Sequence, residues 1–152
     1  MVVYKFKDET QNPIKGRSYV YDLHYHIVWV TKYRECAFDK SIQNSLKNKL
    51  LEIANENDYK IEALEIMPNH VHVLISAKPK VSVTVIVKKL KGITGKWLFQ
   101  TYPQKMNKYF WHGHIWSHSY YVGSVGNTTE AVINKYINTQ KTRSFKWLNK
   151  VY

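Results

Sequence analysis

The sequence predicts an α+β domain of ferredoxin-like topology: a split antiparallel sheet, helices on one of its faces, and one further helix at the C-terminal end. Aromatic, β-branched or alternating segments mark strands at residues 19–31, 59–67 and 70–76 and within 109–122. Apolar residues recurring every three or four positions mark helices over 39–56, 81–99 and 127–141. The resulting order of strand, helix, two strands, helix, strand and helix is the split arrangement with a C-terminal addition. At 152 residues the chain has room for one packed core. Residues 1–18 read as an N-terminal arm and 19–152 as a single domain.

The arm mixes charge with Asn12-Pro13 and Gly16 and shows no clear period. YVYDLHYHIVWVT follows, with the composition of a first core strand. Asp39 is placed to cap the first helix, in which Ile42, Leu46, Leu50 and Ile53 form the apolar stripe. Asn57-Asp58 ends it, and Pro68-Asn69 separates two strands that form a hairpin. Residues 81–99 are ambiguous by propensity, because VSVTVIV favours strand. The spacing of Val83, Ile86, Val87, Leu90, Ile93 and Leu98 argues for helix, with Lys88, Lys89, Lys91 and Lys96 as a basic face. The last strand is expected in the stretch rich in Trp, His and Tyr, and Gly123 with Gly126 then interrupts it. Asn127 followed by Glu130 resembles a capping box opening the final helix.

Charge points to the partner. Lys and Arg number 23 against 11 Asp and Glu, a formal +12, which favours a polyanion. Twelve tyrosines and five tryptophans supply faces on which nucleobases stack, which turns that preference toward nucleic acid. Lys32, Tyr33 and Arg34, at the exit of the first strand, and Lys88, Lys89 and Lys91 are the expected DNA contacts. Cys36 is the only cysteine, so no disulfide can form within the chain and a reducing, cytoplasmic setting is expected. The apolar runs fall far short of the roughly twenty residues that span a bilayer, so no membrane association is expected.

Chemistry concentrates in two places. In the strand segment HVHVLI, alternation puts His70 and His72 on one face, about 7 Å apart at the backbone, where two imidazoles can converge on one metal ion. Val71, Val73 and Ile75 occupy the opposite face. On the final helix Tyr136 and Gln140 lie one turn apart, about 5.4 Å along the axis, so a nucleophile and a metal ligand can stand side by side. His112, His114 and His118 form a second histidine cluster, without a carboxylate or cysteine partner, and are read as phosphate contacts or surface residues. His24 and His26 share a face of the first strand and are read as core residues, His26 bordering the site.

Four blocks, LHYHIVWVTKYR (23–34), MPNHVHVLI (67–75), IWSHSYYVGSVG (115–126) and INKYINTQ (133–140), resemble the single-tyrosine HUH transposases of the smallest insertion sequences, the IS200-like group, which is related to the REP-associated tyrosine transposases. The match covers nearly all of the chain after the arm. The resemblance implies that His70 and His72 form the HUH pair, Tyr136 is the nucleophile and Gln140 completes the metal site. It implies Mg²⁺ or Mn²⁺ as the ion, single-stranded DNA with a hairpin as substrate, and a homodimer. It further implies a tyrosine helix that can serve either subunit, with Gly123 and Gly126 as its hinge. Two other readings stay open. One is a non-catalytic RNA- or DNA-binding module on an RRM-like sheet, although no Lys/Arg-Gly-Phe-Gly-Phe run is present. The other is a replication-type nickase.

Overall fold

A computed structural model describes residues 14–125 of the chain. Two short strands, β1 (Ile14–Lys15) and β2 (Val20–Tyr21), pair with each other, closed by a hydrogen bond from Gly16 N to Tyr19 O of 2.7 Å. The arm predicted for residues 1–18 therefore ends in one side of a hairpin. The single strand expected over 19–31 is divided at Asp22-Leu23, and its second part, β3 (His24–Val30), enters the main sheet.

Helix α1 (Lys40–Glu56) begins where Asp39 accepts a hydrogen bond from Ile42 N at 2.9 Å, as the cap position requires. Ile42, Leu46, Leu50 and Ile53 are all buried. The helix stops at Asn57, whose side chain donates to Ile53 O, and Asp58 turns the chain at φ 57°. Strands β4 (Lys60–Met67) and β5 (His70–Ser76) then form an antiparallel hairpin around the two-residue turn Pro68-Asn69.

The ambiguous segment is helical. Ser82 accepts from Val85 N at the start of α2 (Val83–Thr101), and Ile86, Val87, Leu90, Thr94 and Leu98 are buried at helical spacing. Packing of that stripe outweighs the few tenths of a kcal/mol per residue by which β-branched side chains disfavour helix. A second helix, α3 (Pro103–Tyr109), follows at once with its proline in the first turn, where the missing N–H costs nothing. The expectation of a strand within 109–122 is corrected accordingly. Most of that stretch is the end of α3 and a loop, with a single bridge from Trp116 to Thr31, and the strand β6 is Tyr121–Val125. Gly123 lies inside β6, paired with His26, rather than in a break after it.

The sheet order β4-β5-β3-β6, all antiparallel, is the ferredoxin-like order expected. Residues Ile27 and Trp29 of β3 and Val71, Val73 and Ile75 of β5 join the stripes of α1 and α2 in one apolar cluster. The helices thus cover one face of the sheet, and the histidines belong to the other. The C-terminal helix predicted from residue 127, with Tyr136, Gln140 and Gly126, lies outside the described residues.

Candidate active site

The two central strands build the site by register. Val28 stands opposite His72 and Val30 opposite His70 across β3 and β5, while Glu65 and Met67 stand opposite the same histidines from β4. Cross-strand partners share a face, so this one carries His70, His72, His26, Glu65 and, from β6, Tyr121. His70 and His72 are brought together as alternation predicts, with ring centroids 4.9 Å apart.

Each is held by a neighbour. His70 Nδ1 lies 2.6 Å from Asn69 Oδ1. His72 Nδ1 lies 3.3 Å from His26 Nε2, and these two rings stack with centroids 5.5 Å apart. His26 is therefore a direct neighbour of the histidine pair, while His24 turns to Asp22 and, at 3.8 Å, to Glu62. Tyr121 meets the edge of His26 at 6.0 Å. Burial pushes the His70 imidazole down to about 4, opposed by the nearby Glu65 carboxylate, and pushes His26 down to about 4 as well. At neutral pH both rings are uncharged, the form in which imidazole binds a metal.

The donor set fits a divalent ion as far as it is described. Both histidines engage a neighbour through Nδ1, the arrangement that turns Nε2 toward a metal in protein sites. Among the described residues no group of three or more His, Cys, Asp and Glu side chains is placed to hold an ion. Two imidazoles are thus what the described part of the site offers, and the expected third ligand, Gln140, lies beyond it. Among the described residues, His112, His114 and His118 form no such group either. The His112 ring lies tilted against the exposed Trp111, and His114 and His118 line a groove of about 740 Å³ beside α2, floored by Ile115 and Trp116.

The expected DNA contacts fall in two regions. Lys32–Arg34 forms a 3-10 turn in which Tyr33 and Arg34 have φ of 58° and 54°, and Tyr33 is 64% exposed with Lys32 Nζ 5.8 Å from its ring centre. On α2, Lys88 is exposed along the groove and Lys89 donates to Asn57 Oδ1. Lys91 is different: its ammonium donates to the carbonyls of Ser117, His118 and Ser119 at 2.5, 3.3 and 3.4 Å, and burial lowers its pKa. Sequence reasoning missed Asn69, read only as a turn former, and Glu65. The adjacency of a turn asparagine to the first histidine was the one available signal for Asn69.

A ferredoxin-like sheet with a histidine pair on the face opposite its helices defines the class of protein. Residues 19–140 match the model of the family described as "Transposase IS200 like". The ISDra2 transposase TnpA of Deinococcus radiodurans is 41% identical over 126 residues, covering 83% of this chain and 89% of the relative. The transposase of insertion sequence IS200 from Salmonella typhimurium is 32% identical over 116 residues, covering 76% and 75%. A crystal structure of a chain assigned as a transposase from Deinococcus radiodurans superposes with a TM-score of 0.69 at 39% identity, over 84% of this chain and 97% of the other. A REP-associated tyrosine transposase bound to a REP hairpin shares the fold, with a TM-score of 0.51 at 15% identity over 93% and 74%. The chain belongs to the IS200-like transposase family, and DNA transposition is the process it serves.

Proposed function

We propose that this transposase cuts and rejoins single-stranded DNA at the ends of an insertion sequence through a 5′-phosphotyrosine formed by Tyr136. The observation that carries this reading is the convergence of the neutral, half-buried His70 with the buried His72 on one sheet face, 4.9 Å between ring centres. His70, His72 and, from the C-terminal helix, Gln140 would hold Mg²⁺ or Mn²⁺. When bound, that ion supplies Lewis-acid polarisation of a non-bridging phosphate oxygen.

The phenolic oxygen of Tyr136 attacks the scissile phosphorus, the bond to the 3′ oxygen breaks, and the phenolic proton is given up as the 3′-hydroxyl is formed. The phosphodiester energy is kept in the tyrosine ester, so rejoining by a new 3′-hydroxyl needs no nucleotide cofactor. A phenol has a pKa of about 10, so positioning and charge neutralisation supply most of the activation. Lys32, Tyr33, Arg34, Lys88 and Lys89 would grip the DNA, with Tyr33 offering an exposed ring for a base.

A folded hairpin would mark the substrate, because shape supplies selectivity that charge lacks. The enzyme would act as a homodimer, with the segment around Gly123 and Gly126 leading to the tyrosine helix. Family membership and a paired histidine face together favour catalysis over a bare RNA- or DNA-binding sheet. The test is Tyr136→Phe with a hairpin-bearing single strand and Mn²⁺. Covalent protein–DNA adducts vanish from denaturing gels while hairpin affinity stays within about twofold; adducts that persist rule out Tyr136.

A further inference from the structure

We infer that Asn69 is a positioning residue for His70, fixing its proton on Nδ1 and tying this metal-facing histidine to the basic-aromatic turn Lys32–Arg34. The inference rests on the reading of His70 and His72 as ion ligands and adds to it a link between DNA contact and ion site.

The Asn69 side-chain amide reaches two neighbours. Its Nδ2 lies 3.4 Å from Arg34 O, and a carbonyl oxygen can only accept, so the NH₂ end of the amide faces the turn. That orientation leaves Oδ1, an acceptor alone, toward His70 Nδ1 at 2.6 Å. The ring must then donate from Nδ1. A neutral imidazole carries one proton, so Nε2 keeps its lone pair for an ion. In water the opposite tautomer is the commoner one, so without this acceptor part of the protein would present N–H to the ion. The backbone of Asn69 is fixed at the same point, since its carbonyl accepts from Thr31 N at 2.8 Å. Asn69 is thus bound to residues 31 and 34 on one side and to His70 on the other.

The turn it grips is unusual. Tyr33 and Arg34 both adopt positive φ, 58° and 54°, a left-handed backbone that non-glycine residues seldom enter and that surrounding contacts must hold. Arg34 O is one of those holding points. A strand seated on Tyr33 and the basic side chains beside it would therefore press on the same amide that orients His70.

The experiment uses the full chain uniformly labelled with ¹⁵N, free of metal at pH 7.5, with His70 assigned by the loss of its signals in His70→Ala. Long-range ¹H–¹⁵N spectra report the tautomer, and Mn²⁺ titration followed by electron paramagnetic resonance reports affinity. In the native chain His70 carries its proton on Nδ1. Asn69→Ala moves His70 toward the Nε2–H form and weakens Mn²⁺ binding about tenfold or more. Asn69→Asp, which keeps an acceptor, retains the Nδ1–H form and most of the affinity, while the amide signals of Tyr33 and Arg34 shift because the donor to Arg34 O is gone. An Nε2–H His70 in the native chain overturns the inference whatever the variants do. So does an Asn69→Ala protein with unchanged tautomer and unchanged Mn²⁺ affinity. A native chain that binds no Mn²⁺ at all sinks the ion-ligand reading instead, and with it the positioning role.

Discussion

The two faces of the sheet obey different rules. Beneath α1 and α2 the residues Ile27, Trp29, Val71, Val73 and Ile75 are all at most 1% exposed and packed against aliphatic side chains. On the opposite face the same two strands alternate aliphatic Val28, Val30 and Leu74 with His24, His26 and His72, and these too are nearly inaccessible. Burying a polar ring costs about 1–3 kcal/mol unless it is hydrogen-bonded. The histidine face answers with Asp22 beside His24, His26 beside His72 and Asn69 beside His70. A sheet built for stability alone has no need of such groups. One face explains why the chain folds, and the other carries the side chains that the proposed chemistry uses.

Adjacent residues of β5 break that comparison most sharply. Val73→Asp sets an unpaired carboxylate into the helix-covered core, and the expected loss of several kcal/mol would leave the domain unfolded or barely folded by circular dichroism. His72→Ala, one residue away and facing the other way, is expected to melt cooperatively within a few degrees of the native chain. Its DNA-adduct yield with Mn²⁺ is expected to fall at least about a hundredfold, since even residues that only support a metal ligand cost ten- to a hundredfold. Should His72→Ala unfold the chain as Val73→Asp does, the second face would be structural as well.

Acid sharpens the contrast more gently. His26 and His70 are both held near a pKa of about 4, below the ordinary 6.5, by burial. Between those values the unfolded chain takes up protons that the native chain refuses. Their neutral burial therefore costs nothing above pH 6.5, and stability falls as pH drops from there toward 4, then levels. Urea midpoints at pH 7.5, 6 and 5 should decline in that order, and His26→Gln, which removes one of the two rings, should flatten the decline. An unchanged midpoint from pH 7.5 to 5 would contradict neutral burial of these rings.

How much of this was legible in the sequence depended on how local the cause was. The Asp39 cap and the stripe of α1, the Pro68-Asn69 hairpin and the His-x-His alternation are short-range patterns, and each appears where it was expected. Helix α3 was not foreseen, because Tyr102 ahead of Pro103 signals a break rather than an immediate restart. The aromatic run after it imitates a strand, yet Phe110, Ile115 and Trp116 serve the core from a loop. Gly123 reads as an interruption but is paired within β6. The partners of the histidines depended on register between β3 and β5 and on the direction of one amide, which no spacing along the chain reveals.

Lys91 shows how a count of basic residues can mislead. Its ammonium is half-buried and spans three successive carbonyls of the loop at 117–119, so it acts as a clasp that fastens the approach to β6 onto α2. Lys91 was expected to contact DNA; in the fold its ammonium keeps its charge but turns its donors to this loop. The formal +12 counts this ammonium in full, yet its hydrogen-bonding capacity is spent inside the fold.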